Sequence, residues 1–135
     1  MSYRRRRGTA IVDTPKGILV TAGRRGTFIL PGGGAEKWES RRRASIRELR
    51  EETGLKTTDS KFLFSHVGSR HKSYQGGHFR DHSKVFFCKT VGEARPRHEI
   101  KKIAYYKPGS RVRISSNTKL MIDKYLEMKR NGELK

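Results

Sequence analysis

The sequence predicts a mixed α/β domain in which a mixed β-sheet packs between helices. Three observations carry that expectation. Short β-rich apolar runs occur as "TAIVD" and "GILVTA" early in the chain and as "KFLFSHV" and "KVFFCKT" in its middle. A stretch with helix-start and helix-stop residues, Ser40 to Gly54, separates the two groups. A second helical stretch, "NTKLMIDKYLEMK", follows the last run. Strands, helix, strands, helix is the element order of a layered α/β domain.

In chain order, "TAIVD" and "GILVTA" flank "TPKG", whose Pro and Gly mark a turn. "TFIL" reads as a strand that ends at Pro31, and Gly32, Gly33 and Gly34 punctuate that end. Ser40 can cap the first helix, because its hydroxyl can accept from an orphan backbone N–H. Gly54 stands where a helix ends in a left-handed residue. Ala44, Ile46, Leu49 and Thr53 supply partial apolar faces between the charges. "KFLFSHV", "KVFFCKT" and "KKIAYY" read as strands, and the polar, Gly-containing "GSRHKSYQGGHFRDHS" as a hairpin connection or mobile loop. In the last helix Leu120, Met121, Tyr125 and Met128 recur at helical spacing, with Asn117 or Ser116 as cap.

The 135 residues suit one domain over 9–135, preceded by a basic arm over 1–8 that reads as flexible. Hydrophobic and charged residues each make up 33%, but the apolar ones cluster, which favours folding over disorder. The lone cysteine, Cys88, cannot form an internal disulfide, so a reducing, cytoplasmic setting is expected, with Cys88 as a buried strand residue. No apolar run reaches the length of a membrane span, and no membrane partner is expected. The formal net charge of +19 attracts polyanions, nucleotides and nucleic acid among them. Nothing in the composition speaks to oligomeric state.

Against that charge, five of the thirteen acidic residues fall in "LPGGGAEKWESRRRASIRELREETGL", Leu30 to Leu55. Glu48 and Glu52 are four apart and Glu51 is three from Glu48, so all three lie near one helix face. Like charges at that spacing repel. A hard divalent cation, which binds carboxylates together with substrate phosphates, would offset the cost. A solvated helix face balanced by Arg47 and Arg50 is the plainer reading of the same residues. The Gly-rich turn ahead of the helix, which allows close backbone approach, and Arg47, four before Glu51, favour the metal site.

The segment resembles the signature of the Nudix (MutT-like) hydrolases. That signature is Gly, five residues, Glu, seven residues, Arg-Glu, an aliphatic, one residue, Glu-Glu, one residue, Gly, an aliphatic. Here the positions are Gly33, Glu39, Arg47, Glu48, Leu49, Glu51, Glu52, Gly54 and Leu55, and every fixed position matches. The resemblance implies an α/β/α sandwich that hydrolyses a nucleoside diphosphate linked to another moiety. It implies that Glu48, Glu51 and Glu52 hold Mg²⁺ or Mn²⁺ with the carbonyl of Gly32, that Arg47 orients a glutamate, and that Glu39 supports the helix start. Many members add a glutamate from a later loop as metal ligand or base, and Glu99 is the candidate. The expected activity is Mg²⁺-dependent cleavage of a phosphoanhydride in a nucleoside triphosphate or similar nucleotide, with 5′-phosphorylated RNA raised by the basic surface. The rival is a non-catalytic nucleic-acid-binding module on the same scaffold.

Several features depart from that pattern. Arg41, Arg42 and Arg43 occupy the first helical turn, where cations oppose the helix dipole. Arg43 also removes the acidic half of a capping box. The three are candidates for binding a polyanionic substrate, or else balance nearby glutamates. Trp38 could stack on a base, but packing over the helix start is the expectation. "SYRRRRG", Ser2 to Gly8, reads as a nucleic-acid patch or a silent disordered run. His71, His78 and His82 lack a nearby cysteine and do not read as zinc ligands. Tyr74, Phe79, Tyr105 and Tyr106, interleaved with basic residues, could stack a nucleobase but read mostly as core or rim.

Overall fold

The computed structural model describes residues 2–72 and 76–134, so Tyr74 lies outside the described residues. The chain runs β1 (Ser2–Ile11), β2 (Asp13–Thr14), β3 (Gly17–Ala22), β4 (Gly32–Gly34), α1 (Arg41–Thr53), β5 (Lys56–Val67), β6 (His71–Lys72), β7 (His78–Val91), β8 (Lys102–Tyr106) and α2 (Ser116–Arg130). One sheet has the order β4-β1-β7-β5, with β6 also on β7, and the other β2-β3-β8. The pairing of β1 with β7 is parallel over its whole length, from Ser2↔His78 to Ile11↔Phe87, and the other ladders are antiparallel.

Alternation along β1 sorts its side chains between two layers. Ala10 packs in a cluster with Leu49 of α1, together with Leu19, Leu55 and Phe86. Its neighbour Ile11 packs with Met121, Ile122 and Tyr125 of α2. The helices therefore cover opposite faces of the larger sheet, which is the expected α/β/α arrangement. Cys88 is buried in the α1 layer, and burial pushes its thiol pKa up to about 11, well away from a reactive thiolate.

Gly8 is where α1 comes closest to the sheet. A Cβ at Gly8 would meet the carbonyl oxygen of Arg41 and lie 2.6 Å from the Ser45 nitrogen, both backbone atoms that cannot rotate away. Gly8→Ala should therefore lift α1 from β1. We expect it to cost roughly 2–4 kcal/mol, read as an earlier urea midpoint.

Five sequence expectations change. Residues 2–8 are part of β1 rather than a free arm, because each arginine joins the backbone ladder with β7 while its neighbours send their charges to opposite faces. Gly32 to Gly34 form a strand instead of merely ending one: Gly32 pairs with Thr9 and Gly33 with Gly8. "TFIL" makes only isolated bridges, Thr21↔Ile29 and Phe28↔Ile114. The stretch from His78 to Ser83 belongs to β7, where parallel pairing with β1 supplies its hydrogen bonds. The cap of α2 is Ser115, whose hydroxyl accepts from the Thr118 N–H at 3.2 Å.

Candidate active site

The site is built on α1 and the glycine strand β4. Ser40 Oγ accepts from the Arg43 N–H at 3.1 Å, so half of a capping box forms although Arg43 fills its fourth position. At the other end Gly54, at φ 80°, donates to the Arg50 carbonyl at 2.8 Å. Leu49 and Leu55 are buried and anchor the helix from beneath. Arg41 donates to the carbonyl of His82 at 3.2 Å. Arg42 donates to the Ser60 carbonyl at 2.7 Å and sits over the Phe86 ring, 4.8 Å from its centroid. Both fasten α1 to the sheet, while Arg43 stays exposed.

Arg47 is the hub of the signature. Its Nε and Nη2 donate to the two oxygens of Glu39 at 2.8 and 2.9 Å. Its Nη1 donates to Glu48 at 2.7 Å and to Glu51 at 3.3 Å, and Nη2 also reaches the Gly34 carbonyl at 3.2 Å. Glu39 accepts in addition from the Glu36 N–H at 3.0 Å. The arginine hydrogen bonds hold Glu39 well below the usual carboxylate range, at about 2. The guanidinium is held above its ordinary value by the same contacts. A planar five-donor fork can serve three carboxylates and a carbonyl at once, and a lysine could not.

The carboxylates divide into two sets. One oxygen from each of Glu48, Glu52 and Glu99 lies within 4.8 Å of the others. Glu51 does not join them: it faces outward, half exposed, against Arg47. Glu52 is 6% exposed, and the Gly32 N–H donates to its Oε1 at 3.2 Å. Burial raises the Glu52 pKa to about 8, against the Gly32 hydrogen bond and with help from the charge of Glu48. Gly33 lies against Glu48, where a side chain would strike the carboxylate. Glu99 arrives from the segment after β7, which is tied to the end of α1 by Arg95 N–H to the Thr53 carbonyl and Arg97 N–H to the Glu52 carbonyl, at 2.9 and 3.0 Å. Trp38 does not pack over the helix start: it is 91% exposed at φ 69°, with Lys37 Nζ 5.6 Å from its ring centroid.

Three clustered carboxylates, one buried and fed by a backbone amide, suit a hard cation: they offer oxygen ligands and a negative charge that burial makes costly to leave unneutralised. The NUDIX domain family profile matches residues 2–113. The chain belongs to the Nudix hydrolase family. A crystal structure of a Nudix hydrolase family member from Chromobacterium violaceum is 34% identical, with a TM-score of 0.80, covering 94% of this chain and 79% of that one. A MutT Nudix hydrolase from Burkholderia pseudomallei shares the fold at 20% identity and a TM-score of 0.76, covering 90% and 98%. So does an ADP-ribose pyrophosphatase from Streptococcus suis, at 18% and 0.66, covering 93% and 92%. No curated protein matches the sequence at a significant level.

On the α2 side of β1 the Nudix fold leaves a cavity of about 290 Å³. Arg7 and Thr9 of β1 line it, with His66, Asp81, Ser83 and Asn117. Asn117 Oδ1 and His66 Nε2 lie 3.1 Å apart. Asp81 is taken by Arg5, at 2.6 Å. Arg7 has no ion pair among the described residues, and burial lowers the pKa of its guanidinium while the charges of Asp81, Glu52 and Glu48 act in the opposite sense. Thr9 is 1% exposed, and its hydroxyl has no partner among the described residues. A half-buried cation without an ion pair and a buried hydroxyl without a partner among the described residues form a receptor for an anionic, hydrogen-bonding group. Neither residue was singled out in the sequence. Reading "RRRRGTA" with period two would have placed Arg5, Arg7 and Thr9 on one face.

Proposed function

We propose that the protein is a divalent-metal-dependent pyrophosphohydrolase that cleaves a phosphoanhydride in a nucleoside diphosphate-linked substrate, with Mg²⁺ or Mn²⁺ as the working ion. The meeting of Glu48, Glu52 and Glu99 carries this reading, since only the first two come from the signature helix. These three carboxylates would hold the ion, with Gly32 contributing backbone beside Glu52. Bound there, a divalent cation neutralises the diphosphate and lowers the pKa of water.

The chain's own residues do the rest. Arg47 fixes the Glu48 carboxylate by a charge-assisted hydrogen bond and is itself fixed by Glu39, so the ligand geometry is set before substrate arrives. Water attacks phosphorus, a carboxylate of the cluster removes its proton, and the bridging oxygen leaves with the electron pair of the broken P–O bond. Arg7 receives a non-bridging phosphate oxygen at the mouth of the cavity. The cavity takes the nucleoside, with Asn117 and His66 as its hydrogen-bonding side chains. Among the described residues no helix is long and apolar enough to cross a membrane.

Product analysis tests the reading. The protein with Mg²⁺ or Mn²⁺ is offered nucleoside triphosphates, dinucleoside polyphosphates, nucleotide sugars, ADP-ribose and 5′-triphosphate RNA, and products are separated by ion exchange. Metal-dependent release of a phosphorylated product from one class is expected. An inert panel with both metals would favour the non-catalytic binding module. On the substrate so found, Arg7→Met should lower kcat/KM by roughly 10- to 100-fold, the loss of one charge-assisted hydrogen bond, and Arg7→Lys should restore part of it. An Arg7→Met enzyme with unchanged kcat/KM would remove Arg7 from the phosphate site.

A further inference from the structure

The arginines that the catalytic reading leaves unused converge on one surface. On β1 the α1-facing positions are those of Gly8 and Ala10, so Arg4 and Arg6 project on the same side, beyond the point where α1 begins. Both are exposed. The parallel register sets Arg80 beside Arg4, His82 beside Arg6 and Lys84 beside Gly8. On the far side of β7, Ser65 pairs with Lys84 and Val67 with His82. Arg41 and Arg42 close the helix end of this area and are held by their bonds to the carbonyls of His82 and Ser60.

The result is an open sheet face with six cations drawn from three elements. No strand position on it holds an acid, since Asp81 points to the other side, where Arg5 binds it. Two apolar side chains also reach solvent here: Phe62, 43% exposed with Lys84 Nζ 5.7 Å from its ring centroid, and Val67, 49% exposed.

We propose that this face binds single-stranded nucleic acid, as a site separate from the hydrolytic one. Cations at alternate strand positions stand about 6.6 Å apart along each strand, a row suited to the phosphates of an extended strand. The exposed ring of Phe62 offers a stacking surface between cations, which is the combination that unpaired bases use. A duplex hides its base faces, and a bilayer would need a larger apolar area than one Phe and one Val.

The test is fluorescence anisotropy of a labelled oligouridylate across a salt series. The variant Arg4→Gln/Arg80→Gln/Lys84→Gln removes three cations from the face. The variant Lys107→Gln/Arg111→Gln/Arg130→Gln removes three exposed cations elsewhere. The first should bind at least about tenfold more weakly at moderate salt, with the slope of log K against log salt shallower by about 2. The second should bind nearly as the unaltered protein does. Phe62→Ala should weaken binding without changing the salt slope. Hydrolysis of the small nucleotide should persist in all three, and matching melting temperatures show that each is folded. Equal losses in the two triple variants would reduce the effect to net charge and overturn the proposal. So would equal affinity for a duplex together with a neutral Phe62→Ala. Capture by vesicles containing phosphatidylserine, abolished in the first triple variant while the oligouridylate stays unbound, would give the face to a membrane instead.

Discussion

Glu52→Gln is expected to reduce kcat by about 10³-fold, the range in which removal of a carboxylate that handles ion or proton falls. The same substitution should make the metal-free protein more stable at alkaline pH. Glu52 is buried between α1 and β4 with one amide donor, from Gly32. Glutamine keeps an oxygen for that donor and carries no charge to desolvate. An ordinary surface glutamate would show neither effect, so the pairing of lost activity with gained stability is diagnostic of a carboxylate held for its ligand.

The pH dependence follows from the direction of the shift. The Glu52 pKa is raised from 4.5 to about 8 in the folded state, so between those values the folded chain binds more protons than the unfolded one. Its contribution to stability is present at low pH and is lost as pH rises through about 8. At 1.36 kcal/mol per unit, complete ionisation costs on the order of 5 kcal/mol, or roughly 15 °C in melting temperature. Glu39 has the opposite sign: its pKa is depressed to about 2, so its contribution is present above the ordinary carboxylate range and is lost as pH falls through about 2. Chelator-treated protein should therefore melt highest near pH 5. Glu52→Gln should flatten the alkaline fall and leave the acid one in place. Thermal melts across pH in the presence of a chelator read both limbs, and an alkaline fall that persists in Glu52→Gln would mean that another group causes it.

What could be read in the sequence was local. The helix bearing the signature announces itself through Ser40, Gly54 and the spacing of its glutamates, all within one stretch. The β-rich runs were legible for the same reason, as was the layer order they imply. Contacts set by strand pairing were not. Arg7 and Thr9 reach the cavity because β1 runs parallel to β7, a pairing across most of the chain that no spacing encodes. The charge density of residues 4–7 reads as disorder until alternation splits it, sending Arg5 to Asp81 and leaving Arg4 and Arg6 on the open face. Glu51 looks equivalent to Glu48 and Glu52 by number alone. Arg47, one turn before it, pairs with it on the outer side of the helix. Trp38 has an apolar side chain, yet it sits at a left-handed φ of 69° and stands 91% exposed, which its residue type alone does not announce.

Gly33→Ala should lower hydrolysis by roughly 10- to 100-fold and weaken metal affinity, while the melting temperature moves by less than about 2 °C. The new methyl group would occupy the space of the Glu48 carboxylate, the far end of a flexible side chain that can turn aside. Its partner Arg47, held by Glu39 and Gly34, stays behind, so the carboxylate would leave the cluster with Glu52 and Glu99 while the fold survives. The neighbouring glycine separates the two kinds of constraint. At Gly32, φ is 154° and a Cβ would strike the backbone carbonyl of Gly8, so Gly32→Ala should unfold the β1–β4 edge as well as inactivate. Gly33 is not among the residues at positive φ, and its backbone conformation is open to any side chain. Its requirement for glycine is then one of space beside a carboxylate. Calorimetric titration with Mn²⁺ and assays at saturating metal distinguish the cases. If Gly33→Ala keeps full activity and metal affinity, Glu48 tolerates displacement and the ion must rest on Glu52 and Glu99. If it unfolds, Glu48 cannot turn aside and the signature glycine serves the fold first.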